Sequence, residues 1–261
     1  MFPRLISIGN FWVPTYGVLV AMGFLVALFI TVRLAKSAGL APDLIANLGI
    51  YCGIAGLLGG KLAMFLFDWR TYWNHPDQIF TRETLQAAGV YQGGLVLALI
   101  VAAWYMHHHR LPWLETLDVF APGVALGHGI GRLGCLAAGC CWGVPTKLPW
   151  GIVFRNPQAN EMTGVPLGVP LHPTQVYEAL AEAAIFGFLL WRIRRPHPAG
   201  EIMGLYLVLY SVARFLIEFV REHEQATQLG LSLTQWIAIG TFLLGIWLLL
   251  NRTPRRQAAP A

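Results

Sequence analysis

GVALGHGIGRLGCLAAGCCWG, residues 123–143, is apolar enough to enter a membrane, yet it carries His128, Arg132, three cysteines and seven glycines. Gly123, Gly127, Gly131, Cys135, Gly139 and Gly143 recur every four residues. On a helix that spacing leaves a groove almost free of side chains, against which a second helix or a lipid can lie. His128, Arg132 and Cys140 fall on a neighbouring stripe if the helix runs that far. A guanidinium at membrane depth costs ~2.5–3.5 kcal/mol on insertion scales, so Arg132 needs a carboxylate or an anionic ligand beside it. Arg132 is therefore the point from which a site is sought.

The surrounding chain fits a membrane. Of 261 residues, 56% are hydrophobic and 12% charged, against ~25% charged in soluble domains. The net charge of +5 suits anionic headgroups, and no basic tract points to nucleic acid. The first residues lack the short apolar core and small-residue cleavage site of a signal peptide, so the first apolar run is expected to be retained. Residues 1–12 read as an interfacial lead-in, with Phe2, Phe11 and Trp12 at headgroup level. Seven apolar runs follow, near 14–35, 44–67, 89–108, 118–140, 174–193, 201–220 and 232–250, each close to the ~20 residues a span needs. The expectation is an all-α polytopic membrane protein, with seven transmembrane helices in a single transmembrane domain covering residues 1–261.

The connections give its orientation. One side carries Arg4, Arg70, Arg82, Lys147, Arg155 and Arg221. The other carries Arg33, Lys36, Arg110, Arg192, Arg194, Arg195, Arg252, Arg255 and Arg256. Nine cations against six put the second side in the cytoplasm, with the N-terminus outside and the C-terminus inside. Two long connections, 68–88 and 143–173, then lie outside and are expected to form a cap. The first contains Trp69, Tyr72 and Trp73, and the second contains six prolines. Long loops in compact proteins commonly form lids or binding surfaces.

Ionisable groups inside the runs carry the chemistry: Lys61, Arg132, Glu178, Glu182, Arg214 and Glu218. Tyr206, Tyr210, Arg214 and Glu218 share one helical face at four-residue spacing. Arg214 and Glu218 can simply neutralise each other. Alternatively, the surplus of buried cations serves a phosphate, which arginine binds bidentately and which reaches a membrane as a lipid headgroup. Glu178, near the outer mouth, is the better partner for Arg132 or Arg214, whereas Glu182 fits a neutral acid against another helix. Gln92, Gly93 and Gly94 open the third run, where glycine lets a backbone or a lipid approach closely. Tyr16 is either an interfacial anchor or a catalytic hydroxyl. The tract His107–His109 fits a solvated helix end. Cys135, Cys140 and Cys141 lack the separated ligand pairs of a zinc site, so they are expected to pack as small apolar residues.

Together these motifs resemble the bacterial prolipoprotein diacylglyceryl transferase family over nearly the whole chain. The resemblance rests on Tyr16-Gly17, Gly59-Gly60-Lys61, Gly93-Gly94-Leu95, Gly131-Arg132-Leu133-Gly134, Trp142-Gly143, His172-Pro173-Thr174-Gln175-Val176-Tyr177-Glu178, and Arg214 with Glu218 and Arg221. It implies a bacterial inner-membrane enzyme whose site opens outward. Phosphatidylglycerol would give its diacylglyceryl group to the lipobox cysteine of a prolipoprotein signal peptide, and glycerol phosphate would leave. No cofactor or metal is implied. The candidate catalytic residues are Arg132, Arg214, His128, His172 and Tyr16. The candidate substrate-binding residues are Lys61, Gln92, Gly93, Gly94, Gly134, Cys135, Cys140, Gly143, Glu178, Tyr210, Glu218 and Arg221. Three positions depart from the family: Cys135 replaces asparagine, Cys140 an acidic residue, and Gln92 the common histidine. Glutamine is no base near neutral pH, so His128 or His172 is expected to take the thiol proton. The same changes leave open a lipid-modifying relative with another acceptor, or a non-catalytic protein that binds anionic lipid.

Overall fold

The computed structural model describes residues 2–8, 11–81, 84, 89–222 and 229–251. Arg82, Arg252, Arg255 and Arg256, used above for orientation, lie outside the described residues. Each of the seven apolar runs forms a long helix. In chain order the helices are α1 (Thr15–Ser37), α2 (Pro42–Phe67), the short α3 (Trp69–Asn74), α4 (Tyr91–His108), α5 (Trp113–Ala138), the short α6 (Pro157–Thr163), α7 (Thr174–Ile193), α8 (Glu201–Glu218) and α9 (Leu233–Leu250). Four of them, α1, α2, α5 and α9, are long and apolar enough to cross a membrane on composition alone. The chain is thus a helical membrane protein. Helices α7 and α8 are less apolar because Glu178, Glu182, Glu201, Arg214 and Glu218 lie within them.

Contacts gather into two compact units, residues 1–34 with 114–261, and residues 35–113. In the first unit, α1 lies in the glycine groove of α5. A Cβ on Gly123 would stand 2.2 Å from Thr31 Oγ1, and one on Gly127 3.1 Å from the Gly23 carbonyl. The groove does not continue as the four-residue spacing implied, because α5 ends at Ala138. Gly139 takes φ +80°, a conformation glycine adopts freely. The Cys140 N–H then bonds back to the Cys135 carbonyl at 3.1 Å, and the Gly139 N–H reaches that of Leu136 at 3.3 Å, a Schellman ending. Cys140 and Gly143 are therefore off the helix that carries His128 and Arg132.

Ala121 and Ala125 of α5, Ile185 and Leu189 of α7, and Ile202 and Tyr206 of α8 form a buried core. The buried Asp118 of α5 accepts the N–H groups of Gly200 at 2.8 Å and Met203 at 2.9 Å, satisfying the N-terminus of α8.

Among the described residues, two small sheets add to the expected all-α architecture. β1 (Arg4–Ile8) pairs antiparallel with β2 (Phe11–Pro14), so the lead-in is a hairpin. β3 (Ile152–Val153) pairs with β4 (Pro170–Leu171) in the proline-rich connection. There Phe154, Ala159, Val165 and Leu171 make a second core, and Asn156 caps α6 by accepting the Gln158 N–H.

In the second unit α2 and α4 meet backbone to backbone. A Cβ on Gly93 would lie 2.2 Å from Ala63 Cβ and 2.6 Å from the Gly59 carbonyl, and one on Gly94 2.6 Å from that of Gly56. The glycine pair thus makes a close helix crossing. Helix α3 and a 3-10 turn at Pro76–Phe80 lie in the connection that follows α2.

Candidate functional site

Glu178 is the hub. It sits in the second turn of α7, is 4% exposed, and meets arginines from two helices and a following loop. Arg132 of α5 pairs with its Oε2. Arg221, just beyond α8, donates to Oε1 at 2.9 Å. Arg214 of α8 lies 3.6 Å from Oε1 and 2.6 Å from Glu218 Oε2. Arg214 thus pairs with Glu218 on its own helix, as one sequence reading had it, and also faces the shared carboxylate. Ser232, the N-cap of α9, donates to the other Glu218 oxygen at 2.9 Å.

A second layer supports Arg132. His128, one turn earlier, accepts from Arg132 Nε at 3.2 Å. The other ring nitrogen, Nδ1, lies 2.6 Å from Glu182 Oε1. An acceptor role for Nε2 puts the proton on Nδ1, so the imidazole links the guanidinium to the carboxylate. Tyr210 packs its ring 5.5 Å from that of His128, and Tyr206 stacks behind it at 5.8 Å. Between α7 and α8, Glu178, Glu182, Tyr210 and Arg214 line a cavity of about 10 Å³, room for about one water.

Beyond the helix ends the site continues as a backbone junction. The Gly143 N–H bonds to the His172 carbonyl and the His172 N–H to that of Val144, both at 3.0 Å, while the Val144 N–H bonds to the Val220 carbonyl at 3.0 Å. A Cβ on Gly143 would lie 2.4 Å from the Val220 carbonyl oxygen and 2.6 Å from His172 Cβ. This junction brings Arg221 beside Glu178 although Arg221 lies beyond α8. His172 Nδ1 lies 3.2 Å from the Tyr177 hydroxyl, which also accepts from Trp150 Nε1 at 2.8 Å. Tyr16 of α1 packs at Gly134, where a Cβ would be 3.3 Å from its ring.

The three clustered cysteines converge. Their sulfurs lie within 4.8 Å of one another, and all three are free thiols. Thr174 Oγ1 donates to the Cys141 carbonyl and Gln175 Nε2 to the Cys140 carbonyl, each at 2.6 Å. The Cys141 thiol, beyond the end of α5, is held well below the ordinary thiol range by hydrogen bonds from Cys135 and Cys140, then by Arg221 and Arg132.

Of the sequence candidates, Arg132, Arg214, Arg221, Glu178, Glu218, His128 and Tyr210 form one connected network. Lys61, Gln92, Gly93 and Gly94 belong to the other unit. There Lys61 donates to the Thr84 carbonyl, Gln92 is exposed at the start of α4, and the two glycines pack against α2. The sequence missed Glu182 as the partner of His128, although its spacing of four from Glu178 puts both acids on one face. It also missed Asp118 and the Trp150–Tyr177 bond.

The family model described as prolipoprotein diacylglyceryl transferase matches residues 3–251. A Clostridium tetani protein named phosphatidylglycerol–prolipoprotein diacylglyceryl transferase is 33% identical over 247 residues, covering 95% of this chain and 96% of that protein. Proteins of the same name from Vibrio parahaemolyticus (34% identical, 94% and 88% covered) and Geobacter sulfurreducens (32% identical, 99% and 97% covered) are similar over nearly their full lengths.

Proposed function

Because the chain belongs to the prolipoprotein diacylglyceryl transferase family, we propose that Arg132, Arg214 and Arg221 hold the phosphate of phosphatidylglycerol while its diacylglyceryl group passes to a prolipoprotein cysteine. The observation that carries this reading is the meeting of three guanidinium groups on the single carboxylate of Glu178. Guanidinium forks suit the oxygens of a phosphate as they suit those of a carboxylate. The acceptor thiol loses its proton, its sulfur bonds to the glycerol carbon that carried the phosphate, and the carbon–oxygen bond breaks. The electron pair leaves on the phosphate oxygen as glycerol phosphate. Arginines facing that oxygen stabilise its growing charge.

The base is assigned to His172 rather than His128. Both ring nitrogens of His128 are engaged, by Arg132 and Glu182, so it positions Arg132. His172 lies beside the loop junction that ends at Gly143. Gly134, Cys135, Cys140, Tyr16 and Tyr210 line the approach. The seven long helices all cross the bacterial cytoplasmic membrane as one transmembrane domain. The N-terminus and the connections 68–88 and 143–173 lie outside, and the acceptor is a lipobox cysteine.

The test is incubation of the purified protein with phosphatidylglycerol and a lipobox peptide, followed by mass spectrometry. A diacylglyceryl adduct on the peptide cysteine, with equimolar glycerol phosphate, is the expected result. Unmodified peptide under conditions that support a curated relative would overturn the reading.

A further inference from the structure

Cys135, Cys140 and Cys141 come together for a reason the linear sequence conceals. Were α5 to continue, Cys140 and Cys141 would lie more than a turn further along the helix axis from Cys135. The Schellman ending at Gly139 reverses the chain instead, and the Cys140 N–H folds back onto the Cys135 carbonyl. Cys141 then takes φ +62°, a left-handed conformation that is costly for a non-glycine residue and persists only where its surroundings enforce it. The enforcing groups are Thr174 and Gln175 at the start of α7, which hold the carbonyls of Cys141 and Cys140. Both side chains are themselves buried. The result is three free sulfurs within 4.8 Å of one another, on a backbone fixed from outside the cluster.

We propose that these three thiols form a binding site for one thiophilic metal ion of the zinc class. Three sulfurs on a shared ion at the usual Zn–S length of ~2.3 Å lie roughly 3.8–4.0 Å apart. Small side-chain rotations therefore close the cluster onto a cation without moving the backbone. Bound thiolates must be deprotonated, and two cations stand beside the cluster: Arg132 lies three residues before Cys135 on α5, and Arg221 bridges Gly143, two residues after Cys141. Three thiolates on a divalent ion leave one net negative charge, which the same arginines offset. No fourth histidine, cysteine or carboxylate among the described residues joins the group. A tetrahedral ion would keep one position for solvent or another ligand, as three-ligand zinc sites do. The sequence expectation that these cysteines merely pack accounts for their burial but not for a backbone held in a costly conformation that brings the sulfurs together.

The experiment uses the full-length, detergent-solubilised protein, reduced and freed of reductant under anaerobic conditions. It is titrated with Co²⁺ and back-titrated with Zn²⁺. The expected result is a sulfur-to-cobalt charge-transfer absorption that saturates at one ion per chain and is bleached by one equivalent of zinc. This signal requires thiolate ligands, so cobalt held by His107, His108 and His109 does not mimic it. Cys141→Ser lies outside α5 and should weaken binding at least about tenfold, the scale on which metal sites respond to the loss of a supporting group. Cys135→Ser and Cys140→Ser should do the same, whereas Cys52→Ser should leave the titration unchanged. Elution of each variant as a monodisperse species by size exclusion shows that the loss is not unfolding. Absence of the charge-transfer band in wild type would overturn the proposal, as would its survival in Cys141→Ser or its loss in Cys52→Ser.

Discussion

At the scale of single residues, the chemistry turns on what a guanidinium can do that an ammonium cannot. Arg132→Lys keeps the charge and the pairing with Glu178 but loses the fork that grips two oxygens at once. Its transferase rate is expected to fall about 10²–10³-fold, the scale on which losing one transition-state donor acts. Near-normal turnover would make Arg132 purely structural. The two histidines separate by a different measurement, the pH dependence of the rate. His172→Gln should remove the acidic limb of the profile. His128→Gln should retain that limb at a lower overall rate, because it leaves Arg132 less well held. The reverse pattern would transfer the base to His128. Most of this constellation was legible in the sequence, since a charge inside an apolar run is conspicuous and four-residue spacings reveal shared faces. The partners of Glu182 and Asp118 were not legible. The first was expected as a neutral acid against another helix, and the second stood at the edge of an expected span. Their partners, His128 and the backbone of Gly200 and Met203, come from distant parts of the chain that spacing cannot relate.

At the scale of elements, long helices announce themselves by length and composition, and all seven were anticipated to within a few residues. The short elements were not. β3 and β4 have two residues each, too few for an alternating pattern to register. The stop at Gly139 was concealed because a four-residue glycine repeat ran straight through it. The junction around Gly143 depends on close approach, and this makes it testable. In Gly143→Ala the new methyl would press on the Val220 carbonyl and the His172 backbone, neither of which is a flexible side-chain end. The expected cost is about 1–3 kcal/mol, as for other overpacked sites, read as a lower thermal midpoint in detergent. Arg221 would shift with the loop segment that carries it, so binding of the lipid should weaken as well. An unchanged midpoint would mean that the junction gives way without strain.

For the whole molecule, the question is how the chain is threaded through the bilayer. Four helices satisfy the demands of a membrane span on composition alone, while α7 and α8 place their charges against one another within the first unit. Buried ion pairs of that kind let a polar helix reside at depth, because each charge meets a partner rather than lipid. The proposed orientation puts the connection between α7 and α8, with Arg192, Arg194 and Arg195, in the cytoplasm. A single Arg195→Cys substitution should therefore react with a membrane-impermeant maleimide only in inside-out vesicles. Labelling from the outer face of intact cells would reverse the orientation and put the proline-rich connection inside.

Glu178 has a consequence for selectivity. A bacterial membrane is crowded with anionic headgroups, and three bare arginines would hold almost any of them. On the proposed reading of those arginines as the phosphate site, the carboxylate already seated among them is a tethered rival that an incoming lipid must displace. Entry then favours the headgroup that repays the exchange by engaging several guanidinium groups at once. The same rival returns to its place when the spent phosphate departs, so it speeds clearance of the pocket. The enzyme gives up tightness of grip and gains discrimination and turnover.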